Sequence, residues 1–175
     1  MNIKVNFKKQ VISKSNANPI MFVDEKFNIT GLKKHISNYE YSYISDLIET
    51  KDLKKKIVTF DIDSKKKIIL VSLNKRPTET DAENLGAKCY DIFNDSKIKE
   101  YTVNSDTLPK GLKKIIGYFL HGIKLKSYKF EKYKTQKNKI VISINVIGKN
   151  IPSEKDKLKL SSIEEGTFYT RDLVS

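Results

Sequence analysis

Cysteine, glycine, proline and tryptophan are all scarce in this 175-residue sequence. Cys89 is the only cysteine, which excludes an internal disulfide, and the 7 glycines and 4 prolines are too few for a collagen-like or low-complexity chain. No apolar run approaches the ~20 residues that a membrane-spanning helix needs. Residues 1–11 alternate apolar and polar side chains and lack the apolar core of a signal peptide. These absences predict a cytoplasmic protein without membrane contact.

Arginine is rare as well, although the chain is strongly basic. Only Arg76 and Arg171 accompany the lysines among 34 basic residues, which exceed the 21 acidic residues and give a formal net charge of +13. Bidentate recognition of phosphate or guanine favours Arg, so a surface dominated by lysine supplies mainly solvation and a diffuse positive field. We favour a solvated surface, with nucleic-acid binding as the alternative.

Strand patterns recur along the chain. Ile3, Val5 and Phe7 occupy alternate positions and residues 19–23 form a short apolar run, so we expect a hairpin or two neighbouring strands there. Residues 68–73 (IILVSL) are almost continuously apolar, which predicts a central strand covered on both faces. Further strands are predicted within residues 56–63, 100–103 and 140–147.

Helix patterns fall between the strands. Residues 38–50 have apolar side chains at helical spacing, with Glu40 on the side expected to face water. Thr78 and Asp81 have the spacing of a capping box at the start of a second helix. Residues 106–109 resemble the start of a third helix, which carries the clearest amphipathic stripe in the sequence.

A fourth helix is predicted from about residue 153 onward, with a break at the serine pair 161–162. The predicted order is therefore ββαββαβαβα. This alternation of strands and helices predicts an α/β sandwich: a mixed sheet of five or six strands with helices on both faces. Helices that connect strands as right-handed crossovers make at least part of the sheet parallel.

Two segments in the last third of the chain resemble a known family. Residues 122–135 (GIKLKSYKFEKYKT) and residues 165–175 (EGTFYTRDLVS) are similar to two stretches of the N-terminal domain of leucyl (cytosol) aminopeptidases, peptidase family M17. The order and approximate spacing of the two stretches are those of the family. The matching positions are Tyr128, Phe130, Tyr133, Lys134 and Thr135 in the first, and Arg171, Asp172, Leu173 and Val174 in the second.

The resemblance implies a macro-domain-like α/β fold over residues 1–152 and a linker helix over residues 153–175. This helix would lead into a catalytic domain that binds two divalent metal ions, Zn or Mn, and removes N-terminal residues from peptides. Enzymes of this family are hexamers, so the implied partners are the chain's own catalytic domain and further copies. We expect this segment to be a scaffolding or regulatory domain, inactive alone, with no catalytic, cofactor-binding or metal-binding residue.

Two local features need separate interpretation. Residues 80–83 spell TDAE, part of the metal-binding signature of the family, but the residues that follow lie on a predicted helix face and we regard the match as coincidence. Residues 73–76 (LNKR) stand where such domains usually have a glycine-rich turn. A third hypothesis, a macro-type binder of ADP-ribose, needs that turn at a helix N-terminus and is therefore disfavoured.

A few side chains are candidates for chemistry when taken alone. Asp61 and Asp63 share one side of a strand, but three lysines follow and we expect a solvated strand end. Neither His35, predicted to be exposed, nor His121 has a nearby Asp, Cys or Ser that would complete a catalytic group. Cys89 falls on an apolar helix stripe, which predicts a buried and inert thiol.

Lysines alternate with aromatic residues after the third helix. Because the aromatic residues of this segment carry the family resemblance, we favour a role in packing between domains or subunits. The alternative is nucleic-acid binding, in which lysines neutralise phosphates and aromatic rings stack on bases. The candidate surface comprises Lys124, Lys126, Tyr128, Lys129, Phe130, Lys132, Tyr133 and Lys134.

Overall fold

The computed structural model describes residues 3–8, 17–132 and 140–174, with backbone alone for residues 129–132, 172 and 174. These ranges form a three-layer α/β architecture with a six-stranded mixed sheet, which confirms the predicted fold class and element order. The strands are β1 (Ile3–Lys8), β2 (Pro19–Val23), β3 (Ile57–Asp61), β4 (Lys67–Ser72), β5 (Glu100–Asn104) and β6 (Ile142–Ile147). The α-helices are α1 (Asn38–Leu47), α2 (Glu79–Asp95), α3 (Lys113–Lys132) and α4 (Glu154–Val174).

The strands lie in the order β1-β6-β5-β2-β4-β3, all parallel to their neighbours except β3, which is antiparallel to β4. β4 is an interior strand, as its apolar run predicts. The expected pairing of β1 with β2 is wrong, because β6 and β5 separate them and Ile3 is in register with Ile142. Two strands that are close in sequence are expected to pair only if a tight turn joins them. Strand β1 pairs instead with β6, which lies far away in the sequence.

Alternating residues of the interior strands supply two cores. In β4, Ile69 and Val71 contact the larger core beneath α2 and α3, while Ile68 and Leu70 contact a smaller core beneath α1. The period of two along a strand places these pairs on opposite faces of the sheet. Since both faces are covered, β4 has no polar side and reads as a continuous apolar run.

Helix α1 begins with a capping box in which Ser37 and Glu40 exchange hydrogen bonds, but Glu40 is buried and does not face water as predicted. Its carboxylate also forms an ion pair with Lys66, from the turn between β3 and β4. This partner, 26 residues away in sequence, supplies a positive charge that compensates for burial of the carboxylate.

Helices α2 and α3 cross at very short range. A Cβ atom built on Gly86 would overlap the carbonyl oxygen of Phe119, and one built on Gly122 would overlap the carbonyl oxygen of Glu83. Each helix therefore presents a glycine to the backbone of the other. This reciprocal arrangement brings the two backbones closer than side chains at the crossing would permit.

Two helix boundaries differ from the sequence prediction. Ser105–Thr107 forms a 3-10 turn and α3 begins only at Lys113, so residues 106–109 do not start the third helix directly. Helix α4 continues through the serine pair without the predicted break. The Ser162 hydroxyl donates to the Leu158 carbonyl oxygen one turn earlier, which accommodates a serine inside a helix. Among the described helices, none is both long enough and apolar enough to span a bilayer.

We expect Gly86→Ala and Gly122→Ala each to lower the free energy of unfolding by about 3 kcal/mol, because α2 and α3 must separate to admit a methyl group. The matched control is Gly166→Ala in α4, where nothing lies within 4 Å of the built Cβ atom. This change should raise the free energy of unfolding by about 1 kcal/mol through helix propensity. Urea denaturation of the three variants measures the difference, and a gain in stability for Gly86→Ala would contradict the close crossing.

Candidate interdomain surface

A buried polar cluster joins α3 to α4. His121 on α3 and Glu164 on α4 are 3% and 5% exposed, and the Nδ1 atom of His121 lies 3.0 Å from an Oε1 atom of Glu164. Since a carboxylate only accepts hydrogen bonds, Nδ1 is the donor. The second carboxylate oxygen lies 3.5 Å from the Nζ atom of Lys124, one turn further along α3. Glu164 is therefore held by two groups of one neighbouring helix.

The same histidine reaches α2. Its Nε2 atom lies 3.8 Å from an Oε1 atom of Glu83, whose backbone contacts Gly122 at the helix crossing. His121 thus stands between carboxylates of two helices, and the cluster connects α2, α3 and α4. Sequence analysis missed this arrangement because Glu164 is 43 residues from His121 and no short motif links them.

An aromatic contact holds the far end of α4. The rings of Tyr128 and Phe168 stack with centroids 4.1 Å apart and an interplanar angle of 24°. The Tyr128 hydroxyl donates to the Phe168 carbonyl oxygen over 3.2 Å. Stacking of this kind stabilises the contact by about 0.5–1.5 kcal/mol, beyond the stabilisation that comes from burying the two rings. Tyr128, a residue of the first family-like segment, is therefore part of the α3–α4 contact.

The described members of the candidate surface do not form one open strip. Lys124 pairs with Glu164, Tyr128 stacks on Phe168, and the Nζ atom of Lys126 lies 3.6 Å from an Oδ1 atom of Asp91 on α2. These three side chains contact neighbouring helices. The remaining predicted members fall outside the described side chains: Lys129, Phe130, Lys132, Tyr133 and Lys134.

The isolated candidates occupy structural positions. Asp63 caps the turn between β3 and β4 by accepting from the backbone nitrogens of Lys65 and Lys66, and the carboxylate of Asp61 is solvent-exposed, as the solvated strand end predicts. Among the described residues, no group of three or more His, Cys, Asp or Glu side chains is arranged to hold a metal ion.

His35 is half-buried, so its predicted exposure is wrong. Its Nδ1 atom lies 3.1 Å from the side-chain nitrogen of Asn104 at the end of β5. Burial, assisted by the positive charge of Lys34, lowers the pKa of His35, while Asp106 acts in the opposite direction. The neutral imidazole, which can accept from the Asn104 amide, is the form that this environment favours.

Residues 80–83 serve the helix, in agreement with the interpretation of TDAE as coincidence. The Asp81 carboxylate accepts the backbone N–H of Thr78 and completes the capping box, and hydrogen bonds from Thr78 hold the pKa of Asp81 below its usual value. Ala82 is buried in the core and Glu83 faces His121. Of the preceding residues 73–76, Leu73 and Asn74 border a cleft of about 120 Å³ whose walls include Lys56, Ser72 and Lys88.

The carboxyl ends of β2 and β5 mark the point where successive strands leave in opposite directions along the sheet, a usual place for ligands in open α/β folds. Here Thr107 joins the two strands. Its hydroxyl accepts from the backbone nitrogen of Phe22 over 2.9 Å and donates to the carbonyl oxygen of Asn104 over 2.7 Å. These polar groups bond one another, so this edge offers no specific support for the ADP-ribose hypothesis.

We expect Glu164→Gln to lower the free energy of unfolding by about 1–3 kcal/mol, because Lys124 loses its charged partner in a buried setting. Hydrogen exchange should show faster exchange of α4 amides. Glu165→Gln is the matched control, since Glu165 is exposed and adjacent in sequence, and it should change stability by less than about 0.5 kcal/mol. Equal effects of the two substitutions would contradict the assigned role of the cluster.

The Cys89 thiol is completely buried, and burial raises its pKa far above the usual value. Because thiolate is the reactive form, the folded protein should not react with a disulfide reagent such as 5,5′-dithiobis(2-nitrobenzoate). One thiol per chain should react after unfolding in urea. Stoichiometric labelling of the native protein within minutes would show that α2 opens readily.

The comparisons with known proteins bear on the fold. No family model matches the sequence, and no curated protein matches it either. Solved structures do match, among them a mutant of tomato leucine aminopeptidase with 14% sequence identity and a TM-score of 0.72. The match covers 98% of this chain and 38% of that chain. Almost the whole chain therefore has the fold of one part of a leucine aminopeptidase structure, and it spans well under half of that polypeptide.

Proposed function

We propose that this chain is the non-catalytic N-terminal domain of a leucyl aminopeptidase, and that it serves domain packing and oligomer assembly. The observation that carries the proposal is the fold match over 98% of the chain to a leucine aminopeptidase structure. Fold alone does not determine function, so the proposal also rests on residues.

The positions of the two family-like segments support the proposal. Tyr128 of the first segment stacks on Phe168 of the second, at the ends of α3 and α4. Two residues 40 positions apart in the sequence therefore bring the two segments together. Such a meeting is expected where a domain continues into a neighbour, since both segments would then adjoin the same interface.

In this proposal the hydrolytic chemistry belongs to a separate catalytic domain. That domain would hold two divalent ions, Zn or Mn, which activate a water molecule and stabilise charge in peptide hydrolysis. The present domain would orient its neighbour and contribute to an oligomer, for which the family resemblance implies a hexamer. Residues 153–175, which include α4, would lead toward the catalytic domain.

Nucleic-acid binding gains no support from the described part of the candidate surface. Lys124 and Lys126 are in contact with carboxylates, and the Tyr128 ring is stacked within the protein. Lysines engaged in this way have less charge to offer to phosphates.

The chain alone should not hydrolyse leucine p-nitroanilide in the presence of Mn²⁺ or Zn²⁺. The reason is that, in the proposed function, all metal ligands belong to the separate catalytic domain. The assay measures release of p-nitroaniline, with a purified leucine aminopeptidase as the positive control. Turnover that rises with the concentration of this chain and disappears with a chelator would contradict the proposal.

A further inference from the structure

The cleft of about 120 Å³ beside Leu73 and Asn74 lies between α2 and the adjoining ends of β3 and β4. At these ends the backbone N–H of Ser72 donates to the carbonyl oxygen of Lys56 over 2.7 Å. One wall of the cleft is a single stripe of α2, because residues three, four and seven positions apart share a helix face. This stripe consists of Asp81, Asn84, Leu85 and Lys88.

The cleft contains two lysines that form no ion pair within the described residues. Lys88 is exposed on α2 and has neither an ion pair nor a hydrogen bond to another described residue. The Lys56 ammonium group donates to the side-chain oxygen of Asn74 over 3.0 Å. Since an ammonium group has three N–H donors, Lys56 retains two of them and Lys88 retains all three. The cleft therefore offers two positive charges together with unused donors.

The carboxylate in the cleft wall already has its own donors. Asp81 accepts the backbone N–H of Thr78 over 2.9 Å. Hydrogen bonds from Thr78, with smaller contributions from Lys56 and from the Asn74 side chain, lower the pKa of Asp81. The Asn74 amide thus connects the Lys56 ammonium group to this carboxylate and holds both in place. The free donors of Lys56 and Lys88 remain for a ligand.

The size of the cleft favours a small ligand. One water molecule occupies about 30 Å³ in the liquid, so a volume of about 120 Å³ has room for only a few waters. Pockets for drug-sized ligands measure about 300–1,000 Å³. A dinucleotide or ADP-ribose is therefore too large for this cleft, whereas a single phosphate group fits.

The charge of the cleft favours an anion with several oxygen atoms. At neutral pH a phosphate monoester carries about −1.5 to −2 charges and three strong acceptor oxygens. Two ammonium groups compensate such a charge, since lysine binds phosphate as a point charge. Asn84 lies between Asp81 and Lys88 on the same stripe and is exposed, so its side-chain amide can donate to a further oxygen.

We propose that this cleft binds a phosphate group through the ammonium groups of Lys56 and Lys88 and the side-chain amide of Asn84. The group belongs either to inorganic phosphate or to a small phosphate monoester whose remaining atoms extend into solvent beside Lys88. This site uses side chains and needs no glycine-rich turn. It goes beyond the proposed role in an aminopeptidase. Because Lys56 and Lys88 are exposed, we expect a dissociation constant of about 1 mM.

Titration of the isotope-labelled chain with inorganic phosphate, followed by amide NMR spectra, tests the site. Amide signals of residues 72–74, 84 and 88 should shift and reach saturation, whereas NaCl at the same ionic strength should give smaller shifts without saturation. Lys88→Gln should raise the dissociation constant at least ~10-fold, because it removes a hydrogen bond to a charged group. Lys97→Gln is the matched control, since Lys97 is exposed and lies beyond the other end of α2, and it should bind phosphate like the wild type.

Asn84→Asp gives a second test that leaves both lysines in place. The new carboxylate repels phosphate, so binding should weaken at least ~10-fold. The NMR spectra also show whether each variant folds. Titration with O-phosphoserine distinguishes the two sources of the group: tighter binding than inorganic phosphate assigns the cleft to monoesters, and weaker binding assigns it to the free ion.

Three results would overturn the proposal. The first is an equal response to phosphate and to NaCl at matched ionic strength. The second is equal weakening by Lys88→Gln and Lys97→Gln, which would show a diffuse effect of net charge. The third is full affinity of a folded Asn84→Asp variant. None of these results bears on the proposed function, which the leucine p-nitroanilide assay tests separately.

Discussion

The close crossing of α2 and α3 positions the buried polar groups that contact α4. Gly86 and Gly122 let each helix approach the backbone of the other, and this approach places Glu83 beside His121. His121 in turn contacts Glu164, the buried carboxylate of α4. The position of α4 therefore depends on two glycines, Gly86 on α2 and Gly122 on α3. The buried carboxylate has partners on α3, and without them its desolvation would oppose the docking of α4.

The pattern of apolar and polar residues predicts most of the strands and helices, because the pattern within each element shows which of its sides are buried. The apolar run of β4 and the capping box of α2 depend on residues within one element, and both are found where the sequence places them. The neighbour of β1 and the burial of Glu40 depend on residues far away in the chain, Ile142 and Lys66 respectively. Neither contact leaves a local pattern, so the sequence suggested a hairpin and a solvent-facing carboxylate instead.

The candidate surface illustrates the same limit. An alternation of lysine and aromatic residues indicates a segment that can bind a partner. It does not show which of these side chains already contact neighbouring helices of the same chain. Lys124 and Tyr128 contact α4, so their contribution is to hold that helix in place. Among the described side chains of α4, Leu158, Tyr169 and Leu173 are exposed. Tyr128 and the exposed apolar side chains of α4 thus belong to one pair of helices, α3 and α4.

We propose that this chain is one domain of a larger aminopeptidase. Since 98% of its 175 residues match 38% of a leucine aminopeptidase chain, a polypeptide of that length has about 450 residues, or about 52 kDa when scaled from the 20.2 kDa of this chain. Immunoprecipitation of the native protein with an antibody against this domain, followed by mass determination and a leucine p-nitroanilide assay, distinguishes a domain of a longer enzyme from a separate protein. We expect a polypeptide near that larger mass with metal-dependent aminopeptidase activity. A native polypeptide of 20.2 kDa without activity would contradict it.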